Sequence, residues 1–322
     1  MSFTQIKQIP VRLNRSQMFV LSTDTSAIEI AAKSEADVIF FELEDAVVPE
    51  KKALGRKNVL EALNDLDWGR KTVSMRINGL DSPHMYRDLV DVLEGPSERL
   101  DLVLIPKAGT ACDIYAVDML VTQIEKATGR EKRLGLEVMI ETAQGMTNIN
   151  EIAQGSPRLE ALHFGENDYA TSMSMEMQGF GAPHPEYSVL TDRDESGARE
   201  HHWGDMWHYA LSRVVATART HGLRPVDVGF IDPTDPDGFF AAARRAAVLG
   251  FEGKWASDDE TVKLAHIAFT PSTEKLERAR KILAVVAANP DLGVFEVDGK
   301  RILMPQVRDA EILVEKAQRM GL

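Results

Sequence analysis

Short apolar runs alternate with longer segments of helical hydrophobic periodicity along most of the chain. Runs of this kind predict buried strands, and the periodic segments between them predict helices. A regular strand and helix alternation is typical of a parallel sheet covered by helices. The predicted strands are residues 18–21, 37–43, 72–77, 102–105, 136–140, 159–164, 226–231 and 253–256.

Polar or charged residues follow almost every predicted strand. Eight strand and helix units with chemistry at the strand exits favour a (β/α)₈ TIM barrel, in which those exits converge on one mouth. A doubly wound sheet is the alternative, although it does not need eight units. The residues expected at the mouth are Glu44, Asp45, Arg76, Lys107, Glu141, Asp168 and Asp232.

The two acids after the fifth and sixth strands form a candidate metal site. Glu141 and Asp168 would sit on neighbouring strands, and Mg²⁺ binds through one or two carboxylates together with water and substrate. Arg76 and Lys107 beside these acids indicate an anionic substrate held against a cation. Ordinary loop acids, or ion pairs that satisfy the strand ends, are the competing interpretation.

Two segments lie outside the predicted eight units. Residues 173–204 are too long for an ordinary connection, and we interpret them as a flap or an oligomer contact. A metal role for His201 and His202 is disfavoured, because adjacent side chains point to different sides of the chain. Residues 271–322 contain a helix (272–288), a hairpin (293–301) and a last helix (305–320). We expect a barrel domain over 1–270 and an extension that packs on the barrel or on a neighbouring subunit.

Composition narrows the function classes. The chain has 322 residues, of which 44% are hydrophobic, so it can bury a large core. Its formal net charge of −13 argues against nucleic-acid binding. A single cysteine fits a reducing compartment, and no apolar run has the length of a membrane span or the character of a signal peptide. We therefore expect a cytoplasmic protein that binds neither membranes nor nucleic acids.

Several blocks of sequence, in order and with compatible spacing, resemble one known family. They are LEDAVVPEKK (43–52), MRINGLDSP (75–83), LIPKAG (104–109), ETAQGMTNINEIA (141–153) and FGENDYA (164–170). These blocks look like the citrate lyase β-subunit-like branch of the HpcH/HpaI aldolase superfamily. The later blocks MWHYALSRVVATARTHGLRPVDV (206–228) and EGKWAS (252–257) are closest to malyl-CoA lyases within it.

The resemblance implies a TIM barrel with a C-terminal extension, trimer-based oligomers and Mg²⁺-dependent Claisen-type chemistry. Such an enzyme cleaves a β-hydroxyacyl-CoA into an acyl-CoA and a 2-oxo acid such as glyoxylate. Glu141 and Asp168 resemble the metal ligands, and Arg76 resembles the arginine that stabilises the oxyanion. Glu44 and Asp45 match the acids of the second strand exit, and we expect both to be catalytic together with Arg76.

We further expect contacts with substrate at three other positions of the mouth. Lys107 matches the lysine after the fourth strand, and Glu166 with Asn167 occupies the turn before the second metal ligand. We expect these residues to bind substrate, with a homotrimer or a homohexamer as the assembly.

The chain departs from the family pattern at four places. A tail aspartate in a block of the form DGKMIDxP is replaced by Leu303 in DGKRILMP. The first strand exit, FVPG in the family, is FVLSTDT (19–25), and the IHP after the eighth strand is SDD (257–259). The small residues before the second metal ligand are Glu166 and Asn167.

These departures leave three functional hypotheses. The first is a Mg²⁺-dependent carbon–carbon lyase acting on a short β-hydroxyacyl-CoA such as malyl-CoA. The second is a paralogue with altered chemistry, either a malyl-CoA thioesterase or an aldolase whose substrate lacks CoA. The third is a non-catalytic barrel that binds a metabolite.

Overall fold

The computed structural model describes residues 9–177, 179, 181–182, 184–229, 232 and 234–322. The strands, in chain order, are β1 (Ser16–Leu21), β2 (Val38–Glu42), β3 (Thr72–Arg76), β4 (Leu102–Ile105), β5 (Gly135–Ile140), β6 (Leu159–Phe164), β7 (Ser188–Leu190), β8 (His201–Trp203), β9 (Arg224–Asp227), β10 (Gly253–Ala256), β11 (Phe295–Val297) and β12 (Lys300–Ile302).

Helices follow most of these strands, as expected for a chain that alternates between the two. They are α1 (Thr25–Lys33), α2 (Lys52–Asp65), α3 (Met85–Leu93), α4 (Ala111–Thr128), α5 (Ala143–Thr147), α6 (Ile149–Ile152), α7 (Glu166–Ser172), α8 (His208–His221), α9 (Pro236–Leu249), α10 (Asp259–Phe269), α11 (Thr273–Ala288) and α12 (Met304–Arg319). A 3₁₀ turn, Pro49–Lys51, leads into α2.

The strands β1 to β6, β9 and β10 form a closed parallel barrel in the described part of the chain. Closure comes from β1, which pairs in parallel with β2 on one side and with β10 on the other. The predicted TIM barrel is confirmed, and the doubly wound alternative is excluded because an open sheet would leave two edge strands.

Three strands, β4, β6 and β10, have the limits that the sequence predicts. β9 begins two residues before the predicted start, because Arg224 is a buried strand residue whose charge is matched by Glu160, with Nη2 and Oε2 2.8 Å apart. The predicted end of this strand, residues 230–231, lies outside the described residues.

The barrel interior is packed by large apolar side chains from facing strands. One cluster contains Phe40, Leu104, Met139, Val226 and Trp255. β2, β4, β5 and β6 are buried along their whole length. Burial on both faces explains why these strands read as continuous apolar runs in the sequence.

The insertion at 173–204 contains secondary structure that the sequence did not predict. β7 and β8 pair in antiparallel register, with Ser188 opposite Trp203 and Leu190 opposite His201. Both strands are short and carry exposed side chains, including Val189, which is 70% exposed. Three-residue strands are too short to show the apolar alternation by which longer strands are recognised.

The chain divides into two compact units, residues 1–268 and residues 269–322. The second unit contains α11, the hairpin of β11 and β12, and α12, in the order that the sequence predicts. Asp298 and Gly299 form the hairpin turn with φ of 50° and 71°, as a type I′ turn requires. Its core contains Ile282, Phe295 and Val307.

Among the described residues, every helix is too short or too polar to pass through a lipid bilayer.

Candidate active site

The ends of β2 and β3 place an arginine between two buried carboxylates. Glu42 and Arg76 are register partners, and Arg76 Nε donates to Glu42 Oε2 at 2.5 Å. Arg76 Nη1 lies 3.2 Å from Glu44 Oε2. Burial opposes the charge of Arg76, but the carboxylates of Glu42 and Glu44 outweigh it and raise the guanidinium pKa. The site therefore holds a permanent cation that is only 7% exposed.

Lys107, directly after β4, connects the acids of three strand exits. Its ammonium lies 2.8 Å from Glu44 Oε1, 2.9 Å from Asp45 Oδ2 and 3.9 Å from Asp168 Oδ1. Its backbone N–H donates to Glu141 Oε1 at 2.7 Å. The φ of 50° at Lys107 costs about 1 kcal/mol in an L-residue and directs this N–H towards Glu141.

Glu141 is the most constrained acid of the group. It is 1% exposed, and burial raises its pKa to about 8, with Arg76 opposing the rise and the charges of Glu44 and Asp168 adding to it. Position 165 requires glycine for steric reasons, because a Cβ there would lie 2.6 Å from Glu141 Oε2. Protein groups alone therefore compensate the charge of this carboxylate incompletely.

The donor set fits a magnesium ion that is bound partly by water and substrate. Glu141 and Asp168 supply hard carboxylate oxygens, and the repulsion between their charges would fall with a divalent cation between them. Asp168 is 39% exposed at its side chain, so solvent has access to the site. Within the described ranges, no cluster of three or more His, Cys, Asp or Glu side chains could hold a metal ion. Two protein carboxylates suit Mg²⁺, which retains several water ligands.

The candidate residues next to Asp168 have different surroundings. Glu166 is fully buried, near Asp227 and Lys254, and accepts a hydrogen bond from the Gly229 backbone N–H. Burial and the charge of Asp227 raise its pKa to about 8. Lys254 Nζ lies 2.7 Å from Asp227 Oδ2, which gives this end of the barrel a buried ion pair. Asn167 is half-buried.

Asp232 and the two histidines have local partners. Asp232 is exposed and accepts hydrogen bonds from the N–H and hydroxyl of Thr234. His201 Nδ1 lies 3.0 Å from Ser188 Oγ, and His202 Nε2 lies 3.6 Å from Glu200. The structure thus brings six of the seven predicted strand-exit residues into one network of contacts and charges, and none of the contacts described for Asp232 joins it to them.

The backbone of the loop that carries Glu44 and Asp45 is held by residues that the sequence analysis did not single out. The buried ammonium of Lys52 donates to the carbonyls of Leu43 and Glu44, both at 2.7 Å. The side chain of Asn78 donates to the Leu43 carbonyl at 2.9 Å. These bonds direct the Glu44 carboxylate towards Arg76 and Lys107.

Glu42 was also missed, although one feature of the sequence could have identified it. A single acid within a buried apolar strand needs a charged or hydrogen-bonding partner. The arginine at the end of the next strand is the residue that parallel pairing places beside it.

The family model for HpcH/HpaI aldolase/citrate lyase matches residues 15–258, which span the barrel and its mouth. This chain belongs to that family. It is 46% identical over 323 residues to an L-malyl-CoA/beta-methylmalyl-CoA lyase of Cereibacter sphaeroides, with 100% of each chain covered. It is 32% identical to a malyl-CoA/beta-methylmalyl-CoA/citramalyl-CoA lyase of Chloroflexus aurantiacus, with 98% of this chain and 91% of the relative covered.

A solved structure has the same fold. The CitE protein of Mycobacterium tuberculosis, in complex with magnesium, acetoacetate and coenzyme A, superposes with a TM-score of 0.69 at 24% identity. The match covers 95% of this chain and 98% of that protein. The predicted family, and the predicted relation to lyases within it, are confirmed.

Proposed function

We propose that this protein is a Mg²⁺-dependent carbon–carbon lyase that cleaves malyl-CoA, or a closely related β-hydroxyacyl-CoA, into glyoxylate and an acyl-CoA. The names of the two lyase relatives support the substrate class. The observation that carries the proposal is the buried cation Arg76. It is held by Glu42 and Glu44, and its charge also interacts with that of Glu141. Cleavage generates negative charge on the thioester oxygen, and a fixed guanidinium stabilises charge that develops in the transition state.

Glu141 and Asp168 would hold the metal ion in this proposal. Magnesium, when bound, would act as a Lewis acid on substrate oxygens. The Lys107 N–H on Glu141 Oε1 orients that carboxylate. Gly165 leaves the space that the second oxygen, Oε2, requires.

Glu44 is the residue that we assign to proton transfer. Burial raises its pKa to about 7, with Arg76 and Lys107 opposing the rise. A group with a pKa near the working pH can both take and return a proton. In the cleavage direction, Glu44 would accept the proton of the substrate hydroxyl as the carbon–carbon bond breaks, and the bonding electrons would form the thioester enolate. Glu44 would then return that proton to the enolate carbon, which gives the acyl-CoA.

Four further residues of the mouth have proposed roles in binding or orienting the substrate and Glu44. Lys107 would hold Glu44 in place and contribute positive charge to the substrate carboxylate, while Asp45 would orient Lys107 through the contact at 2.9 Å. Glu166 and Asn167 remain proposed substrate-binding residues.

The direct test is product analysis with purified protein, Mg²⁺ and malyl-CoA. Glyoxylate and acetyl-CoA in equal amounts are the expected products. Glu44→Gln should lose most of the activity while still binding the thioester. Absence of glyoxylate with malyl-CoA and with other short β-hydroxyacyl-CoA substrates would remove the lyase proposal.

A second candidate function, thioester hydrolysis, is favoured by one residue. Leu303 stands where the family pattern has an acidic residue, and its side chain is 46% exposed and cannot transfer a proton. A hydrolase would release free CoA and malate without glyoxylate. The ratio of glyoxylate to free CoA in the same assay separates the two functions.

The assembly that we propose is a homotrimer or a homohexamer, as the resemblance implies. Light scattering after size-exclusion chromatography gives the mass of the assembly. A mass equal to one chain would contradict this part of the proposal.

A further inference from the structure

The indole of Trp255, on β10, lies against the guanidinium of Arg76. The Arg76 Cζ atom is 5.5 Å from the ring centroid, which is a cation–π distance. Trp255 is 4% exposed, and its ring packs at 4.3 Å from that of Phe40. Arg76 is thus fixed at Nε by Glu42 and on one face by an aromatic ring.

The orientation of that ring is set by His163, a fully buried residue of β6. Trp255 Nε1 donates to His163 Nδ1 at 3.1 Å. An indole N–H can only donate, so Nδ1 must accept and the imidazole proton must lie on Nε2. His163 Nε2 faces Glu137 Oε1 of β5 at 3.6 Å.

The last of these contacts is made by β3, the strand that also carries Arg76. Glu137 Oε2 accepts a hydrogen bond from Ser74 Oγ at 3.3 Å. Ser74 precedes Arg76 by two residues on β3, so both side chains point to the same face of the strand. We call this circuit of Arg76, Trp255, His163, Glu137 and Ser74 the interior ring.

The interior ring is an unusual filling for a barrel. TIM-barrel interiors are normally packed with branched apolar side chains. A buried imidazole, carboxylate and hydroxyl cost desolvation energy that an apolar layer avoids. The indole–imidazole hydrogen bond sets the aromatic face beneath Arg76, whereas His163 Nε2 and Glu137 Oε1, 3.6 Å apart, have no hydrogen-bond partner among the described residues.

We propose that Trp255 and His163 are positioning residues for Arg76. The imidazole holds the indole by its N–H, and the indole face holds the guanidinium in the orientation that stabilises transition-state charge. The proposal rests on the proposed role of Arg76 in the lyase reaction. It adds two residues, on β6 and β10, that act through Arg76.

Trp255→Phe tests the proposal with a matched control at Trp68. Trp68 is also buried, and its indole donates to the Ala62 carbonyl at 3.0 Å, on α2. Each substitution therefore removes one buried indole hydrogen bond. Trp255→Phe should lower kcat by about 10-fold with KM changed less than about 3-fold, because a weakened cation–π contact affects mainly the transition state. Trp68→Phe should leave kcat within about 2-fold.

A double-mutant cycle separates positioning from a general structural effect. If Trp255 acts through Arg76, Trp255→Phe should reduce kcat much less in an Arg76→Lys background than in the natural protein. Equal losses of kcat in the two backgrounds, or equal kinetics of the Trp255→Phe and Trp68→Phe variants, would overturn the proposal.

A spectroscopic measurement decides the role of His163 without any activity assay. The Nε–H resonance of Arg76 can be assigned by its loss in Arg76→Lys. It should shift in His163→Leu, which keeps the indole but removes its acceptor, and shift less in His163→Gln, which retains an acceptor. It should not move in Trp68→Phe. An unchanged resonance in a folded His163→Leu variant would overturn the proposal even if the protein proves to be a lyase, whereas a shift in a protein without lyase activity would refute only the proposed function.

Discussion

Glu42 and Arg76 are direct partners across β2 and β3, with Arg76 Nε 2.5 Å from Glu42 Oε2. Glu42 is fully buried, so the pair is held away from bulk water. Charge-assisted hydrogen bonds of this kind stabilise the pair and also define its geometry. The orientation of the mouth arginine is therefore set by the strand register, and the loop residues adjust to it.

Replacing Glu42 with glutamine should weaken catalysis through Arg76. Both carboxylate oxygens of Glu42 accept hydrogen bonds, Oε2 from Arg76 Nε and Oε1 from the Glu44 N–H. A glutamine can keep only one of these bonds and loses the charge assistance, which we expect to lower kcat about 10-fold. Steady-state kinetics with Mg²⁺ and malyl-CoA give the measurement. Glu252→Gln, which removes the charge of a surface partner of Arg219, is the control and should leave kcat unchanged. Equal activities of the two variants would contradict the role of Glu42.

Replacing Arg76 with lysine should reduce kcat by about 100- to 1000-fold, as expected when a preorganised donor to an oxyanion is lost. The KM for the thioester should change by less than about 5-fold if the guanidinium acts mainly in the transition state. Steady-state kinetics over a range of substrate concentrations separate the two constants. A large rise in KM with little change in kcat would instead assign Arg76 to ground-state binding.

Magnesium should stabilise the natural protein and fail to stabilise the Asp168→Asn variant. A ligand at 100 times its Kd adds about 2.7 kcal/mol to the free energy of unfolding. Thermal unfolding with excess Mg²⁺ and with a chelator gives the difference in Tm. Asp232→Asn is the control, because the described contacts of Asp232 are with Thr234, and its Tm should still rise with Mg²⁺. A Tm that rises equally in Asp168→Asn would remove Asp168 from the metal site.

Glu44 should make the metal-free protein less stable as the pH rises from about 4.5 to about 7. Its pKa is 4.5 in the unfolded chain and is raised to about 7 by burial in the fold, so the folded protein keeps a proton that the unfolded chain has released. The stability that this proton provides is present below pH 4.5 and is lost as the pH passes the folded pKa. Glu44→Gln lacks the titration, so its stability relative to the natural protein should rise over this window and then level off.

The size of the effect should be on the order of 3 kcal/mol, from the relation between a pKa shift and free energy. Urea unfolding in the presence of a chelator, repeated between pH 4.5 and 8, gives the difference. Glu195→Gln, at an exposed residue of the 173–204 insertion, is the control and should show a difference that does not vary with pH. The same flat profile for Glu44→Gln would contradict the prediction.

Removing the buried ammonium of Lys254 should destabilise the barrel strongly. Its side chain is 0% exposed and pairs with Asp227 at 2.7 Å, so Lys254→Met leaves a buried carboxylate without its counter-charge. Loss of one partner of a buried ion pair costs about 3–5 kcal/mol. Denaturant unfolding provides the measurement. Lys281→Met is the control, because it breaks an exposed ion pair with Asp298 and should leave the unfolding midpoint nearly unchanged.

The barrel could be predicted because its strands are buried on both faces and separated by helical periods. Parallel strands of this kind read as continuous apolar runs, and the position of each exit follows from the end of the run. The grouping of Arg76, Lys107, Glu141 and Asp168 was therefore accessible from the sequence. Asp232 was placed with them on the same argument, but the contacts described for it are with Thr234.

The residues that hold the mouth residues in place were harder to predict from the sequence, because their contacts are not visible in the local pattern. Lys52 contacts two backbone carbonyls, which carry no sequence information. Trp255 contacts His163 over a separation of 92 residues. The short strands β7 and β8 were also beyond prediction, because three residues are too few to show an apolar alternation.

Gly165 has a practical consequence for efforts to redesign the substrate range. A methyl group at this position would lie 2.6 Å from Glu141 Oε2 and 2.9 Å from Glu141 Cβ, so any side chain there displaces a proposed metal ligand. Saturation libraries aimed at new substrates should therefore leave position 165, at the junction of β6 and α7, as glycine.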